Sequence, residues 1–276
     1  MRDISLYEII PPERNNFTLK FRLYENHGSL MPHWHEHTEL LFFLSGSCNF
    51  LADGKSFPVK AGDLVIINNS EMHSFSANGR VAYYCLLIAP AFFSDVEGES
   101  VCFENLVKDS AVVKECFRDI NAAYTSGEVA SDMMQKSHAY RLMAHLMKHH
   151  RAEEKSERER GSRDRSLSLI EKINGYVSKN LTKRITTGEL ARVCFFTEEY
   201  FCRFFKRTTG MSPLNYVNEL RISKAEVLLA ETDEPIGKIA TRVGFDDVNY
   251  FSRVFKRIKK CSPSEYRGGL KNERDT

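Results

Sequence analysis

Two stretches of the 276-residue chain, YFCRFFKRTTGMSPLNY at residues 200–216 and YFSRVFKRIKKCSPSEY at residues 250–266, align with each other at an offset of 50. Nine of the 17 aligned positions are identical, among them Tyr200/Tyr250, Phe201/Phe251, Arg203/Arg253, Phe205/Phe255, Lys206/Lys256, Arg207/Arg257 and Ser212-Pro213/Ser262-Pro263. Such identity at a fixed period marks a duplicated supersecondary unit.

Each copy follows a short helix and a turn. Glu189–Val193, Cys194–Phe196 and a Thr197 cap precede the first; Ile236–Val243, Gly244-Phe245 and an Asp246 cap precede the second. Helix, turn and second helix are the parts of a helix-turn-helix, whose second helix enters the DNA major groove. At 3.6 residues per turn Phe201, Phe204 and Phe205 share one side, as do Phe251, Val254 and Phe255. The opposite face then carries Glu198, Glu199, Cys202, Arg203 and Lys206 in the first unit, and Asp247, Val248, Asn249, Ser252, Arg253 and Lys256 in the second. Arg203 and Arg253 stand where a guanidinium can read guanine O6 and N7, and Asn249 where an amide can pair with adenine or meet a phosphate. Lys206, Arg207, Lys256 and Arg257 lie further along and neutralise phosphates.

Outward from the repeat, residues 166–276 hold 20 Lys/Arg against 14 Asp/Glu, a net of +6, while residues 1–165 hold 19 against 23, a net of −4. A basic C-terminal half suits a polyanion partner. Thr186 with Glu189 and Ser262 with Glu265 form capping boxes, and Ser212-Pro213 and Ser262-Pro263 place a cap before a first-turn proline, which together delimit about seven short helices after Ser166. The charged run RAEEKSERERGSRDR, within Lys148–Arg165, has no apolar residues to bury and reads as a helix end plus linker.

The N-terminal half reads differently. Phe17–Tyr24, Glu39–Leu44, Cys48–Ala52, Lys55–Val59, Asp63–Ile67 and Val81–Ala89 are strand-like, with Asp53-Gly54 a hairpin turn, which predicts an antiparallel barrel or sandwich. Helical spacing starts near Ser110, with stripes at Val112, Val113, Cys116, Phe117 and Ile120 and at Met133, Met134, Tyr140, Leu142, Met143 and Leu146. Seven cysteines, without a CxxC pair, read as reduced thiols. The longest apolar stretch, Ala82–Phe93, is short of the roughly 20 residues a spanning helix needs, and Met1–Arg14 lacks a secretory pattern, so the expected location is the cytoplasm with no membrane partner.

Four of nine histidines fall between His27 and His37. Strand alternation would put His33, His35, His37 and Glu39 on one face, with Trp34 and Glu36 on the other. A His-x-His pair, roughly 6.6 Å apart, suits one metal ion, whereas Glu39 would stand about 13 Å from His35 unless the strand bends.

Two resemblances attach to these residues. Ile236 to Arg267 closely resembles the signature of the AraC/XylS family of bacterial transcription regulators through Ile239-Ala240, Gly244-Phe245, Tyr250-Phe251, Phe255-Lys256, Ser262-Pro263 and Tyr266-Arg267, and the likeness covers about Leu167 to Arg267. It implies two helix-turn-helix units joined by a long helix, here Pro213–Ala230, an effector-responsive activator that contacts RNA polymerase, and a homodimer through the helices of 110–150. It also implies that both recognition helices face the same side of the DNA, about one helical turn apart. Lys260 stands where that signature has glycine, as Gly210 does in the first copy. Residues 20–90 resemble the cupin barrel: His33-x-His35, Glu39 and Gly46 match its first motif, and Gly62 with His73 the spacing of its second, where Asn68 and Ser70 replace a proline and a glycine. That resemblance implies His33, His35, Glu39 and His73 as ligands of a divalent metal, or an effector pocket of these residues with Trp34 and His37 for a small molecule such as a sugar.

The expected architecture is α+β in two domains: a cupin-like antiparallel β-barrel with flanking helices over residues 1–150, a charged linker at 151–166, and an all-α tandem helix-turn-helix domain over 167–270. A metal-dependent cupin enzyme fused to a DNA-binding domain, and a constitutive DNA-binding protein with an inactive sensor, are the competing readings.

Overall fold

The computed structural model describes residues 19–93, 101–153 and 156–274. The chain divides into two compact units, one extending to Asp164 and the other beginning at Arg165. Phe17 and Thr18 of the first expected strand, and Glu154-Lys155 of the charged run, lie outside the described residues.

Among the described residues of the first unit, seven antiparallel strands run as β1 (Leu19–His33), β2 (Thr38–Ser45), β3 (Ser47–Ala52), β4 (Lys55–Lys60), β5 (Leu64–Ile67), β6 (His73–Ile88) and β7 (Leu106–Val107). The ladder runs β4-β3-β6-β2-β5-β7, with β1 also on β6. β6 pairs differently along its length: its first residues, His73–Ser76, pair with β3 and the end of β1, and its last, Ala82–Ile88, with β2 and the start of β1. β1 and β6 are therefore much longer than the strand patterns at 17–24 and 81–89 suggest. Gly28, Pro32 and Gly79 look like breaks, but the ladder absorbs them as register shifts between His27/Ser29 and Leu30/His33.

The alternation of β2 decides what lies inside. Leu40 and Phe42 face α1 (Ala111–Ser126) and α2 (Ser131–His149), packing with Phe117, Ile120, Leu142 and Leu146. Leu41 and Phe43 face the other way, into a cluster with Phe50, Val65, Phe75, Tyr83 and Cys85. Both faces are buried, which explains why TELLFF reads as a continuous apolar run rather than an alternating one. Glu39 has the parity of Leu41, so a carboxylate is carried into the interior.

The described chain beyond Ser156 is helical: α3 (Glu157–Asn180), which starts before the second unit does, then α4 (Thr187–Val193), α5 (Glu198–Thr209), α6 (Pro213–Glu231), α7 (Ile236–Arg242), α8 (Val248–Lys259) and α9 (Pro263–Arg274). The charged run at 151–166 is a helix from Glu157 onward rather than a linker throughout. Ser156 and Glu159 cap it reciprocally, Glu159 Oε2 accepting from the Ser156 backbone N–H at 3.0 Å, and Arg and Glu are good helix formers even with nothing to bury.

The two helix-turn-helix units differ by one residue at the turn. Phe196 N–H donates to Ala191 O, and Phe245 N–H to Ala240 O, an offset of 49, whereas the caps Thr197 and Asp247 stand at 50. The extra residue is Asp246. The cap of α8 is accordingly Asp247, not Asp246, its carboxylate accepting from Asn249 N at 2.7 Å and Tyr250 N at 2.9 Å. The left-handed turn residue is Gly244 (φ 96°) in the second unit and Phe195 (φ 57°) in the first, where the ring is 97% exposed.

α6 packs against α5, α7, α8 and α9. Its Arg221 donates from Nε to Leu181 O at 3.0 Å and from Nη2 to Lys183 O at 2.6 Å, while its guanidinium lies 5.5 Å from the Phe245 ring centre. A Cβ on Gly244 would meet Leu181 O at 2.4 Å. Lys260 ends α8 in the left-handed conformation, φ 65°, just as Gly210 ends α5 at φ 80°. A side chain there costs about 1 kcal/mol. Lys260→Gly should therefore stabilise the protein by about 0.5–1 kcal/mol in urea unfolding, and Gly244→Ala should destabilise it by about 2 kcal/mol or more. A loss of stability in Lys260→Gly would contradict the strain at that cap.

Candidate functional site: a DNA-reading face and a buried histidine-glutamate centre

From residue 198 to 208 and from 248 to 258 the order of exposed, intermediate and buried positions is the same at all eleven sites. Phe201, Phe204 and Phe205 are buried on one helix, Phe251, Val254 and Phe255 on the other. What remains outward is the expected face. Glu198, Glu199, Arg203, Lys206 and Arg207 are exposed, with Cys202 half-buried; Asp247, Val248, Asn249, Arg253, Lys256 and Arg257 are exposed, with Ser252 half-buried.

The two arginines are held differently. Arg203 Nη1 donates to Glu199 Oε1 at 3.0 Å, one turn back, so this fork is partly engaged. The Arg253 guanidinium lies 5.9 Å from the Tyr250 ring centre, leaving its donors outward, and the Tyr250 hydroxyl accepts from Asn218 Nδ2 of α6 at 3.2 Å. Tyr200 and Tyr250, 47% and 45% exposed, belong to the same outward faces and were not among the expected readers. Glu198 is bonded to Thr187, and Asp247 is consumed by its cap, which holds its carboxyl below the usual range through the amides of Tyr250 and Asn249. Both are positioned to shape the helix start.

In the other unit β1 ends at His33, the chain bends over Glu36-His37, and β2 starts at Thr38. That bend closes the gap a straight strand would leave. One ligand atom from each of His33, His35, Glu39 and His73 lies within 4.8 Å of all the others. Glu39 Oε2 stands 3.3 Å from His35 Nε2 and 3.1 Å from His73 Nε2, and Cys85 Sγ donates to its Oε1 at 3.1 Å. Glu39, His35 and His73 are buried. His37 is not in the group: it gives its carbonyl to His35 Nδ1 at 3.1 Å, with its ring centre 6.2 Å from that of His35. Trp34 is half-buried beside them. Cys85 could not be singled out in the sequence, since only the β6 ladder brings it to Glu39.

The hydrogen bonds set the tautomers. His33 Nδ1 is 2.9 Å from Met31 O, His35 Nδ1 3.1 Å from His37 O, and His73 Nδ1 2.9 Å from Glu71 O. A carbonyl accepts only, so each Nδ1 carries hydrogen, and in a neutral ring each Nε2 presents a lone pair. Lone pairs of His35 and His73 then confront an anionic carboxylate, and His73 Nε2 is buried with no hydrogen-bond partner despite its short distance to Glu39. Lone pairs and a carboxylate converge on the same space, the kind of donor set that holds a divalent cation. All four donor atoms lie within 4.8 Å of one another, close enough to be drawn onto one divalent ion.

Burial lowers the His33 imidazole from 6.5 to about 3, with His73 adding to the effect. Burial by itself would raise the Glu39 carboxyl, but N–H groups turned toward it by His35 and His73, available only where Nε2 carries a proton, hold it well below its ordinary range.

Two family descriptions match this chain: "AraC-like ligand binding domain" over residues 16–143 and "Helix-turn-helix domain" over residues 190–269. The chain belongs to the AraC/XylS family of transcriptional regulators. The HTH-type transcriptional activator RhaR of Mannheimia succiniciproducens is 22% identical over 266 residues, 96% of each chain. The uncharacterized HTH-type transcriptional regulator YdiP of Escherichia coli K12 is 25% identical over 87% of this chain and 82% of that one. Unsaturated fatty acid-bound ToxT of Vibrio cholerae covers 93% of this chain and 97% of that one, with 17% identity and a TM-score of 0.44. This AraC/XylS regulator therefore couples a ligand-binding domain to DNA-binding helix-turn-helix units. No helix among its described residues is long and apolar enough to cross a membrane.

The histidine and carboxyl shifts fix a pH dependence for the metal-free regulator. His33 takes up a proton more readily unfolded than folded, so its contribution is complete above pH 6.5 and is lost as pH falls toward about 3; depressed Glu39 adds in the same direction below its ordinary 4.5. In chelator-treated protein, urea unfolding followed by Trp34 fluorescence should show stability falling from pH 6.5 downward. His33→Gln should flatten that slope between pH 6.5 and 4.5, and an unchanged slope would contradict the buried neutral imidazole.

Proposed function

We propose that this regulator is an effector-responsive activator in which Arg203 and Arg253 read bases in two successive major-groove segments while Lys206, Arg207, Lys256 and Arg257 neutralise phosphates. The matched burial of α5 and α8 carries the reading: two helices with the same outward face, each behind its own turn, are built to be used together. The asymmetry at the arginines ranks them. Arg253 rests over the Tyr250 ring within the field of the Asp247 carboxylate, whereas Arg203 must exchange a direct ion pair with Glu199 for a base. The second unit accordingly contributes more to discrimination.

Within the ligand-binding domain, His33, His35, Glu39 and His73 would hold a divalent metal, which supplies a fixed positive charge and a coordination position open to an effector oxygen or nitrogen. Trp34 forms the adjoining wall. Activation is favoured by the likeness to a named activator, with RNA polymerase as the expected partner in the cytoplasm. Exposed Met133 and Met134 on α2 support a homodimer surface there. The barrel acts as a sensor without a catalytic step of its own, in keeping with relatives named as transcriptional regulators.

The roles of the basic residues separate on DNA selected by the full-length protein from a random pool. Arg253→Ala should cost about 1–3 kcal/mol on the selected sequence and much less on random DNA, with Arg203→Ala smaller in the same sense. Lys256→Ala should weaken both DNAs alike and reduce the slope of log K against log salt by about 0.9. Equal losses for Arg253→Ala on both DNAs would overturn its assignment to base reading.

A further inference from the structure

The loop between β5 and β6, Asn68 to Glu71, touches the buried centre at two points. Ser70 N–H donates to His35 O at 2.9 Å, and Glu71 O accepts from His73 Nδ1 at 2.9 Å. Ser70 is left-handed, φ 58°, which explains why the cupin motif has glycine there.

The same loop grips a different segment with its side chains. Asn68 takes both backbone groups of Phe103, accepting from its N–H at 2.7 Å and donating to its O at 3.0 Å. Glu71 Oε2 accepts from Asn68 N at 3.0 Å, Asn68 Nδ2 at 3.2 Å and Asn105 Nδ2 at 2.7 Å. Asn68 and Glu71 are 4% and 2% exposed, and both amide hydrogens of Asn68 are used. A buried network in which each donor is spent has little room for intermediate positions: the loop moves with Phe103, or polar groups are stranded without water.

Residues 102–104 in turn bind the segment that follows α2. Phe103 bridges Arg151, Glu104 N–H donates to His150 O at 3.0 Å, and Ala152 N–H to Cys102 O at 3.0 Å. Four residues beyond Ala152 stands Ser156, the cap of α3, the helix that crosses into the DNA-binding unit.

We propose that Asn68 and Glu71 are positioning residues that carry the state of the His33/His35/Glu39/His73 centre to residues 150–152, in the segment between α2 and α3. The inference rests on reading that centre as the sensing site. It explains why a proline, which lacks both amide hydrogens and a side-chain acceptor, is replaced by Asn68 in this regulator. Coupling of this kind requires that a change at one end bias the other through a shared element.

Hydrogen–deuterium exchange of the segment spanning residues 150–152 tests it in four full-length proteins: wild type, Glu39→Gln, Asn68→Ala and the double variant. Glu39→Gln disturbs the centre without changing its volume, and should raise exchange at 150–152 at least threefold in the wild-type background but not in the Asn68→Ala background. Asn68→Asp keeps the acceptor for Phe103 while losing the donor, and replaces Asn68→Ala if that variant fails to fold. An equal effect of Glu39→Gln in both backgrounds, or none at 150–152 in wild type, overturns the relay. Zinc titration of the same proteins judges the metal reading separately, because the exchange cycle needs no bound ion.

Discussion

Everything the DNA-binding half does depends on a phenylalanine pair one turn apart in each recognition helix. Phe201 with Phe205, and Phe251 with Phe255, are wholly buried at centre distances of 5.7 Å and 5.8 Å, and each pair continues to a tyrosine of the following helix, Tyr216 and Tyr266. Each buried ring contributes about 2–3 kcal/mol by removing apolar surface from water, so neither helix can rotate about its axis without exposing them. Fixing the inner face fixes the outer one, and with it the arginines.

The ligand-binding half works by the opposite economy. There the apolar layers on both sides of β2 carry a carboxylate and the imidazoles of His35 and His73 into the interior, with His33 half-buried beside them. A polar group in such a place needs partners. The backbone carbonyls of Met31, His37 and Glu71 provide them for three Nδ1 atoms, which leaves the Nε2 atoms and Glu39 facing inward together.

How much of this the sequence carries varies with the length over which the interactions act. The repeat, the helical caps and the buried helix faces are local, set within a turn or two, and residues 186–266 are readable almost position by position. The register slip at the turn is not, because the identical residues lie beyond it and hide the one-residue insertion that moves the cap from Asp246 to Asp247. In the barrel, His33, His35, Glu39 and His73 are visible through their spacing, but their convergence depends on the bend at Glu36-His37, which no local propensity dictates. Cys85, Asn68 and Glu71 act across 34–46 residues of chain, and nothing beside them in the sequence marks them.

The central claim is that two like recognition helices on one connecting helix engage DNA together. Hydroxyl-radical footprinting of the full-length regulator on a sequence it selects from a random pool tests this most directly. Two protected patches on one face of the duplex, with centres about 10–10.5 base pairs apart, are the predicted result for each bound protomer. A single patch per protomer, of one helical turn or less, would contradict the account.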